Sequence, residues 1–279
     1  MAGELAEAVA ALEAAGVDAP RHDAEALLAH VLDVSRSRLA SGRELSAEQL
    51  ERYRRLVERR AGREPLQHIV GSAPFRYVEV EVGPGVFVPR PETELLAGWA
   101  IDVLRDLPIS ARRSVVDLGT GSGAIALALA TEVPEAAVHA VELDGEAFAY
   151  AQRNLTGTGV DLRHGDMAHA FADLDGTVDV VVSNPPYIPL DAYDAVQTEA
   201  RDHDPAAALW SGADGLDAIR EVERVAARLL RPGGWVGCEH ADAQGESAPA
   251  VFSGSGRWSG VRDNLDLAGR LRFVTARRV

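Results

Sequence analysis

Hydrophobic positions in the first sixty residues recur every three or four residues, the spacing of amphipathic helices. Three stretches show this period: 3–16, 20–33 and 46–62. Ser46 is followed three residues later by Gln49, the pattern of a capping box at a helix start, and Gly62 fits a helix end. Residues 1–66 are therefore predicted to form a small helical bundle.

The pattern then changes to an alternation of apolar and polar residues, which is typical of a strand. FRYVEVEV alternates, GPG predicts a turn, and VFV predicts a returning strand. Residues 67–90 are therefore predicted to be a linker that contains a β-hairpin. Pro91 is predicted to open a helix with acidic residues in its first turn, where the helix dipole favours them.

Strand and helix patterns alternate through the rest of the chain. Strands are predicted at RSVVDLG, AAVHAVEL, VDLRHGD, TVDVVVSN and WVGCEH, and near 258–264 and 270–276. Helices are predicted at AIALALATEV, DGEAFAYAQRNL and GLDAIREVERVAARLL, the last ended by RPGG, and near 242–253. This alternation implies an α/β domain over residues 91–279, with a mostly parallel sheet that binds ligands beyond the carboxyl ends of its strands.

Composition limits the setting in which the chain works. The 279 residues are 47% hydrophobic, enough for a sizeable core. The single cysteine, Cys238, excludes an intrachain disulfide and fits a reducing compartment. No apolar run reaches the length of a membrane span, and the N-terminus lacks the pattern of a signal peptide. We therefore expect a cytoplasmic protein with no membrane partner.

Charge argues against a grip on nucleic acid. The net charge is −15, whereas proteins that bind nucleic acid unaided usually carry positive charge or a dense basic patch. All 28 basic residues are arginine, and the densest basic cluster, ERYRRLVERR, alternates with acids as a solvated helix face does. The histidines show no metal-ligand spacing. We expect neither direct nucleic-acid binding nor a metal site.

Three glycines follow the first strand of the α/β region. Gly119, Gly121 and Gly123 stand between a predicted strand and a predicted helix, where glycine lets the backbone turn sharply and approach a ligand closely. Glu142 ends the next strand, and a carboxylate there can accept both hydroxyls of a ribose. The combination predicts a site for a ligand that carries a ribose.

The acid before this loop bears on which ligand binds. Dinucleotide sites use Gly-x-Gly-x-x-Gly, whereas the spacing here is Gly-x-Gly-x-Gly. Asp117 would repel a pyrophosphate but suits a cationic centre. DLGTGSG resembles the cofactor loop of class I methyltransferases, which implies S-adenosylmethionine, a ligand with a sulfonium, an ammonium and a ribose. The same resemblance implies that Asp166 and Met167, in HGDM, flank the adenine.

The segment VVVSNPPYIP ends a buried strand with residues that cannot continue it. Pro185 and Pro186 lack an N–H and push the preceding residue out of the helical region, so the chain leaves the sheet extended. The carbonyls of Asn184 and Pro185 can then face the cleft, and the Asn184 side chain adds another acceptor. Two fixed acceptors match the two hydrogens of a planar NH₂ group, and Tyr187 offers a face for stacking. The segment therefore predicts methyl transfer to an amide or exocyclic amine nitrogen, driven by positioning.

The whole chain is similar to one family. VFVPRPETELL, DLGTGSGAIALALA, VSNPPYIP and LLRPGGWVGCEH, in this order, resemble the peptide chain release factor glutamine methyltransferases, also called HemK or PrmC. The resemblance implies a Rossmann-like class I methyltransferase fold, a mostly parallel sheet, with a small N-terminal helical domain and a linking β-hairpin. It also implies methylation of the side-chain amide nitrogen (N5) of the glutamine in the Gly-Gly-Gln loop of bacterial class I release factors.

The resemblance assigns roles by position. The helical region would dock the release factor. Asn184, Pro185 and Tyr187 would be catalytic and, with Pro186, would bind the glutamine amide. The cofactor residues would be Gly119, Thr120, Gly121, Ser122, Gly123, Glu142, Asp166, Met167 and Asn184. The motif PRPETE, with Arg90, Glu92 and Glu94, would lie near the cleft. This chain has Asp204-Pro205 and Met167 where family members often have Glu-Pro and an aromatic residue.

Other functions fit parts of the pattern. An N6-adenine methyltransferase would use the same NH₂ acceptors, but it must also hold a polyanion and extract a base. A nucleotide-linked oxidoreductase would use the glycine loop and leave NPPY unexplained. A non-enzymatic scaffold would have no affinity for S-adenosylmethionine.

Overall fold

The computed structural model describes residues 1–41, 44–108 and 113–279. They form two compact units, the first made of Met1–Ser72 with Gln197–His203, the second of Ala73–Val196 with Asp204–Val279. The α-helices are α1 Ala2–Ala14, α2 Pro20–Leu32, α3 Ala47–Ala61, α4 Leu66–Val70, α5 Thr93–Asp106, α6 Ala124–Glu132, α7 Gly145–Asn154, α8 Thr198–His203, α9 Ala206–Leu209, α10 Asp217–Leu229 and α11 Ser247–Ser253. The strands are β1 Ser72–Phe75, β2 Val78–Glu81, β3 Ser114–Leu118, β4 Ala137–Glu142, β5 Asp161–His164, β6 Val178–Ser183, β7 Leu230–Glu239, β8 Trp258–Leu265 and β9 Leu271–Arg278.

The first unit is helical. Helices α1, α2 and α3 pack around a core that includes Leu12, Leu27, Leu28 and Tyr53, each almost fully buried. The Tyr53 hydroxyl donates to the carbonyl of Ala24 at 3.0 Å, which satisfies its polar end inside the core. The capping box predicted at the start of α3 is present, because the Ser46 and Gln49 side chains each accept the other's backbone N–H.

Helix α8 belongs to the first unit although the chain on either side of it belongs to the second. A partly buried ion network holds it there. Arg60 contacts Asp23 and Glu199, each at 2.8 Å, and Arg63 contacts Glu199 at 2.6 Å. These arginine contacts lower the pKa of Glu199 to about 2 although burial opposes them.

A seven-stranded sheet forms the centre of the second unit, in the order β5-β4-β3-β6-β7-β9-β8. The first five strands are parallel, and β9 runs antiparallel to both β7 and β8. The predicted mostly parallel sheet is therefore confirmed. Helices α5 and α6 contribute to the apolar core that includes Val115 and Val180, and α10 and α11 to the core that includes Val116 and Val181.

The strand register brings four loops to one edge of this sheet. Leu118 of β3 pairs with Val141 of β4 and with Ser183 of β6, and Ser183 pairs with Cys238 of β7. The residues just beyond these pairs, Gly119, Glu142, Asn184 and Glu239, therefore lie side by side at the carboxyl edge, where parallel sheets bind ligands.

The linking hairpin is present, but its strands are not the predicted ones. The chain reverses at Arg76 and Tyr77, between β1 and β2, and VFV is not a strand. Arg76 adopts a left-handed φ of 52°, and its guanidinium pairs with Glu132 at 2.6 Å. The glycines of GPG instead allow close packing on α7, because a Cβ on Gly83 or Gly85 would collide with a side chain of that helix. The two glycines that suggested a turn are therefore required for close packing.

Smaller differences concern element ends. The helix predicted to open at Pro91 begins at Thr93, after a turn in which the Thr93 N–H donates to the Arg90 carbonyl at 3.1 Å. The RPGG segment after α10 lies inside β7, which starts at Leu230 and reaches its regular register with β6 only at Trp235. No sequence pattern indicated the short helices α4, α8 and α9, which are held by tertiary contacts and not by their own periodicity.

Candidate active site

The glycine loop between β3 and α6 presents bare backbone. Gly119, Gly121 and Gly123 have φ values of 69°, 59° and 85°, a region that favours glycine. A side chain at Gly119 or Gly121 would meet open space, whereas one at Gly123 would press on Leu155. The first two glycines therefore leave room for a ligand against the backbone, and the third is required for packing. Thr120 and Ser122, the remaining predicted cofactor residues of the loop, are both buried.

Asp117 lies under this loop with no exposed surface. Its Oδ2 accepts from the Thr120 hydroxyl at 2.6 Å, and its Oδ1 has no hydrogen-bond partner among the described residues. Burial raises the pKa of Asp117 to about 7, against the hydrogen bonds from Thr120 and the Ala126 backbone. A buried carboxylate oxygen without a partner is costly unless a ligand supplies a donor or a positive charge.

Glu142 closes the other side of the loop. Its Oε2 accepts from the Gly121 N–H and its Oε1 from the Asp144 N–H, both at 2.8 Å. Burial raises the pKa of Glu142, and the backbone N–H groups oppose that shift. Each oxygen keeps acceptor capacity for a hydroxyl. Leu143, which follows, is 63% exposed; the sequence pattern did not single it out, although an apolar residue after the strand-end acid was a usable signal.

Asp166 and Met167 lie in the turn after β5, beside Glu142. The Gly165 N–H donates to the Glu142 carbonyl at 2.9 Å, which fixes the turn against the end of β4. Asp166 is exposed and its Oδ1 accepts from the Ala168 N–H at 2.9 Å, while Met167 is partly buried against the core. The structure thus brings both residues to the same edge as the glycine loop.

The NPPY segment begins where β6 ends. Ser183 is the last residue of β6 in register with its neighbours, so Asn184 and Pro185 stand beyond the ladder. The Asn184 Nδ2 donates to the Thr93 hydroxyl oxygen at 3.1 Å, which leaves Oδ1 as the acceptor of this amide. The Tyr187 hydroxyl donates to Glu239 Oε1 at 3.3 Å. Burial, with the negative Glu239 nearby, raises the pKa of Tyr187, so its phenol stays protonated.

The backbone after the two prolines is held from a different element. The Gln244 Nε2 donates to the Tyr187 carbonyl at 3.0 Å and is buried. Gly215 packs against the same carbonyl with a left-handed φ of 74°, and a Cβ there would collide with it. These contacts fix Tyr187 by its main chain as well as by its hydroxyl.

Gly215→Ala is expected to destabilise the second unit by about 3 kcal/mol, because the added carbon pushes on the Tyr187 carbonyl. Gly269→Ala is the matched control, since Gly269 has a φ of 77° and open space around its Cα. It is expected to cost only the backbone strain, about 1 kcal/mol. Denaturant unfolding of both variants measures the difference, and equal losses would show that Gly215 does not support the NPPY segment.

The motif PRPETE contacts Asn184 through its threonine and not through its charged residues. Arg90 pairs with Asp204 at 2.7 Å and stacks on Phe87. Asp204 is buried, and burial raises its pKa to about 6 despite Arg90. The residue of this motif that contacts Asn184 is Thr93, which is buried at the start of α5. No sequence pattern distinguished this threonine, because its role depends on how α5 packs beside β6 and β7.

His240, next to Glu239, has both ring nitrogens engaged. Nδ1 lies 2.8 Å from the Ala241 carbonyl and Nε2 lies 3.1 Å from Asp263 Oδ1. Both nitrogens are occupied and the ring is fully buried, so His240 offers no free ring nitrogen to a substrate.

Two features are absent from the described ranges 1–41, 44–108 and 113–279. These ranges contain no group of three or more His, Cys, Asp or Glu side chains arranged to hold a metal ion. They also contain no helix with the length and apolarity needed to cross a membrane.

Family models match two parts of the chain. Residues 5–71 match the PrmC N-terminal domain, and residues 91–200 match the methyltransferase small domain. Between them these matches cover both the helical region and the segment with the glycine loop, Glu142 and NPPY.

Several curated relatives are similar over nearly their whole length. The release factor glutamine methyltransferase of Streptomyces coelicolor is 55% identical, over 99% of this chain and 97% of the relative. That of Mycolicibacterium smegmatis is 48% identical, over 98% and 95%. The 4-amino-L-phenylalanine/4-methylamino-L-phenylalanine methyltransferase of Streptomyces pristinaespiralis is 44% identical, over 93% and 89%.

Solved structures share the fold at low identity. The catalytic domain of hMettl16, in complex with a MAT2A 3′UTR hairpin, is 16% identical with a TM-score of 0.54. The similarity covers 71% of this chain and 74% of that one. At this identity the likeness shows a methyltransferase fold alone.

Proposed function

This chain belongs to the release factor glutamine methyltransferase family, and from that membership and the site geometry we propose how it methylates its substrate. It is an S-adenosylmethionine-dependent methyltransferase that acts on the glutamine side chain of release factors. The observation that carries the proposed mechanism is the Asn184 amide, whose NH₂ is bound to Thr93 and whose oxygen can accept.

The glycine loop and two acids fit the cofactor. The unpartnered Asp117 Oδ1 would receive the ammonium group, and the Glu142 oxygens would receive the ribose hydroxyls. Gly119, Thr120, Gly121, Ser122 and Gly123 would line the remainder by their backbone. Asp166, Met167 and the exposed Leu143 would border the adenine, and Asn184 would lie beside the methyl group. When bound, the cofactor supplies an electrophilic methyl group on a sulfonium sulfur.

Asn184, Pro185, Pro186 and Tyr187 form the part of the site that would hold the glutamine, here called the amide clamp. The Asn184 Oδ1 and the Pro185 carbonyl would accept the two hydrogens of the substrate NH₂, and Tyr187 would stack on the planar amide. An amide nitrogen is a poor nucleophile because its lone pair is delocalised. Two fixed acceptors stabilise the positive charge that develops on nitrogen as the N–C bond forms and the S–C bond breaks. The proton leaves afterwards to water, so no tuned base is required.

Cofactor affinity is expected to depend on pH through Asp117, whose pKa is about 7. Below pH 7 the carboxyl becomes protonated and loses its charge, so the dissociation constant should rise about tenfold per pH unit. Above about pH 8 the ammonium of the ligand itself deprotonates, so binding weakens again. Calorimetric titration between about pH 5.5 and 9 measures this dependence of affinity on pH. In Asp117→Asn the loss of affinity at low pH should disappear. A loss that persists in this variant would assign it to another group.

The charges near the amide clamp do not favour nucleic-acid binding. Two arginines near it, Arg90 and Arg272, are each ion-paired, with Asp204 at 2.7 Å and with Asp266 at 3.2 Å. Arginines paired in this way attract a phosphate backbone only weakly, and the net charge of −15 would repel one. We therefore propose that the protein does not bind nucleic acid directly. We also propose that it works in the cytoplasm, where it meets its substrate.

We also propose a role for each of three parts of the chain. Residues 1–66 would form the domain that docks the release factor, 67–90 the linker with the hairpin, and 91–279 the methyltransferase domain. The match of residues 5–71 to the PrmC N-terminal domain supports the first of these assignments. Removal of residues 1–66 should therefore weaken release-factor methylation while leaving cofactor binding in place.

A methyl-transfer assay with parallel acceptors tests the function. The protein and labelled S-adenosylmethionine are mixed with a class I release factor, its Gly-Gly-Gln loop variant with Gln→Ala, duplex DNA, or 4-amino-L-phenylalanine. Label in the release factor alone supports the proposal. Label in DNA would transfer NPPY to an adenine substrate, and label in the free amino acid alone would indicate a small-molecule enzyme.

A further inference from the structure

Two side chains of the amide clamp, those of Asn184 and Tyr187, are connected to one buried carboxylate. Glu239, at the end of β7, is 1% exposed. It accepts from the Tyr187 hydroxyl at 3.3 Å. The hydroxyl of Thr93 lies beside this carboxylate and lowers its pKa, and the same hydroxyl accepts from the Asn184 Nδ2 at 3.1 Å. Asn184 and Tyr187 are thus held by the same group, one through Thr93 and the other directly.

The direction of these hydrogen bonds follows from chemistry. An ionised carboxylate can only accept, so the Thr93 proton points to Glu239. Thr93 then presents only a lone pair to Asn184, and Asn184 must turn its NH₂ toward Thr93. Its Oδ1 consequently faces the other way. A flipped amide would present NH₂ to the substrate NH₂, and two donors would face each other.

We propose that Glu239 and Thr93 are positioning residues for methyl transfer, which together set the orientation of the Asn184 amide and the Tyr187 ring. This inference rests on the proposed function of the amide clamp and adds two residues that touch neither substrate nor cofactor. A purely structural role would not require a carboxylate here, because an apolar side chain fills a buried strand end at lower cost.

The surroundings of Glu239 make its charge sensitive to pH. Its Oε2 has no partner within the described part of the chain. The charged and titratable groups that face it within the described residues are Arg272, Glu92, Tyr187 and Cys238. Burial raises the pKa of Glu239 to about 7, while Thr93, Arg272 and Tyr187 oppose the shift. Below that pH the protonated carboxyl can donate to Thr93, the bias on Asn184 is lost, and kcat at saturating cofactor should fall.

A double-mutant cycle between Thr93→Val and Asn184→Ala tests the connection. With a class I release factor and saturating S-adenosylmethionine, Thr93→Val alone should lower kcat about 10- to 100-fold. In the Asn184→Ala background the same change should alter kcat less than about 3-fold, because the side chain that Thr93 orients is gone. Thr93→Ser keeps the hydroxyl and should restore most of the rate. In Glu239→Gln, the fall of kcat at low pH should become smaller than in the wild type.

Cofactor affinity and thermal unfolding of each variant accompany the rates. Equal losses from Thr93→Val in both backgrounds, or a kcat profile unchanged in Glu239→Gln, would overturn the inference while the wild-type protein still methylates the release factor. A wild-type protein that transfers no methyl group to the release factor would overturn the proposed function, and the inference with it.

Discussion

Replacing Asn184 with alanine is expected to raise the free-energy barrier to methyl transfer by about 2–4 kcal/mol, which lowers kcat roughly 30- to 1,000-fold. The variant lacks the Oδ1 acceptor, so the substrate NH₂ keeps only the Pro185 carbonyl and the developing charge on nitrogen is less stabilised. Cofactor affinity should stay nearly unchanged, because the loop and Glu142 are untouched. Single-turnover rates at saturating cofactor, with the dissociation constant measured separately, give the two numbers.

Asn184→Asp is the matched variant for this test. It retains an oxygen acceptor on the same carbon frame but loses the donor to Thr93, so its loss in kcat should be smaller than that of the alanine variant. If cofactor binding falls as much as turnover in Asn184→Ala, the assigned role of Asn184 in holding the substrate amide is wrong.

The second large effect is expected at Glu142. Glu142→Ala removes both oxygens that would bind the ribose hydroxyls and leaves the N–H groups of Gly121 and Asp144 without their acceptors. Loss of hydrogen bonds to a charged group should weaken the binding free energy of S-adenosylmethionine by about 3 kcal/mol, which raises its dissociation constant roughly 100-fold. At saturating cofactor the rate should recover, because the amide clamp is intact.

Glu146→Ala is the control, since Glu146 is an exposed acid on the first turn of α7 whose carboxylate accepts no hydrogen bond from the described glycine loop. Its dissociation constant should match that of the wild type. A kcat that stays low at saturating cofactor in Glu142→Ala would place Glu142 in the chemical step and not in cofactor binding.

The fold and the proposed cofactor half of the site follow from local patterns. Strand-helix alternation indicated the parallel sheet, and the spacing of Gly119, Gly121 and Gly123 before Glu142 indicated the loop, because these features depend on neighbours in sequence. The order of the strands then brings Asn184 to the same edge. The rigid Pro185-Pro186 pair marked the end of β6 by the same local reasoning.

The support for the amide clamp could not be read from the sequence. Thr93, Glu239 and Gln244 come from α5, β7 and the turn before α11, and only tertiary packing brings them to Asn184 and Tyr187. The hairpin was misplaced for a related reason. Gly83 and Gly85 carry a turn signal, but contact with α7 and not reversal of the chain is what requires them.

We propose that the amide clamp presents a glutamine side-chain nitrogen for methylation. The most direct test is tandem mass spectrometry of a class I release factor after reaction with the protein and S-adenosylmethionine. We expect a mass increase of one CH₂ that is confined to the side-chain amide of the Gly-Gly-Gln glutamine. The increase should be absent when Asn184→Ala replaces the wild type at matched reaction times. A methyl group on any other residue, or equal modification by the Asn184→Ala protein, would contradict this proposal.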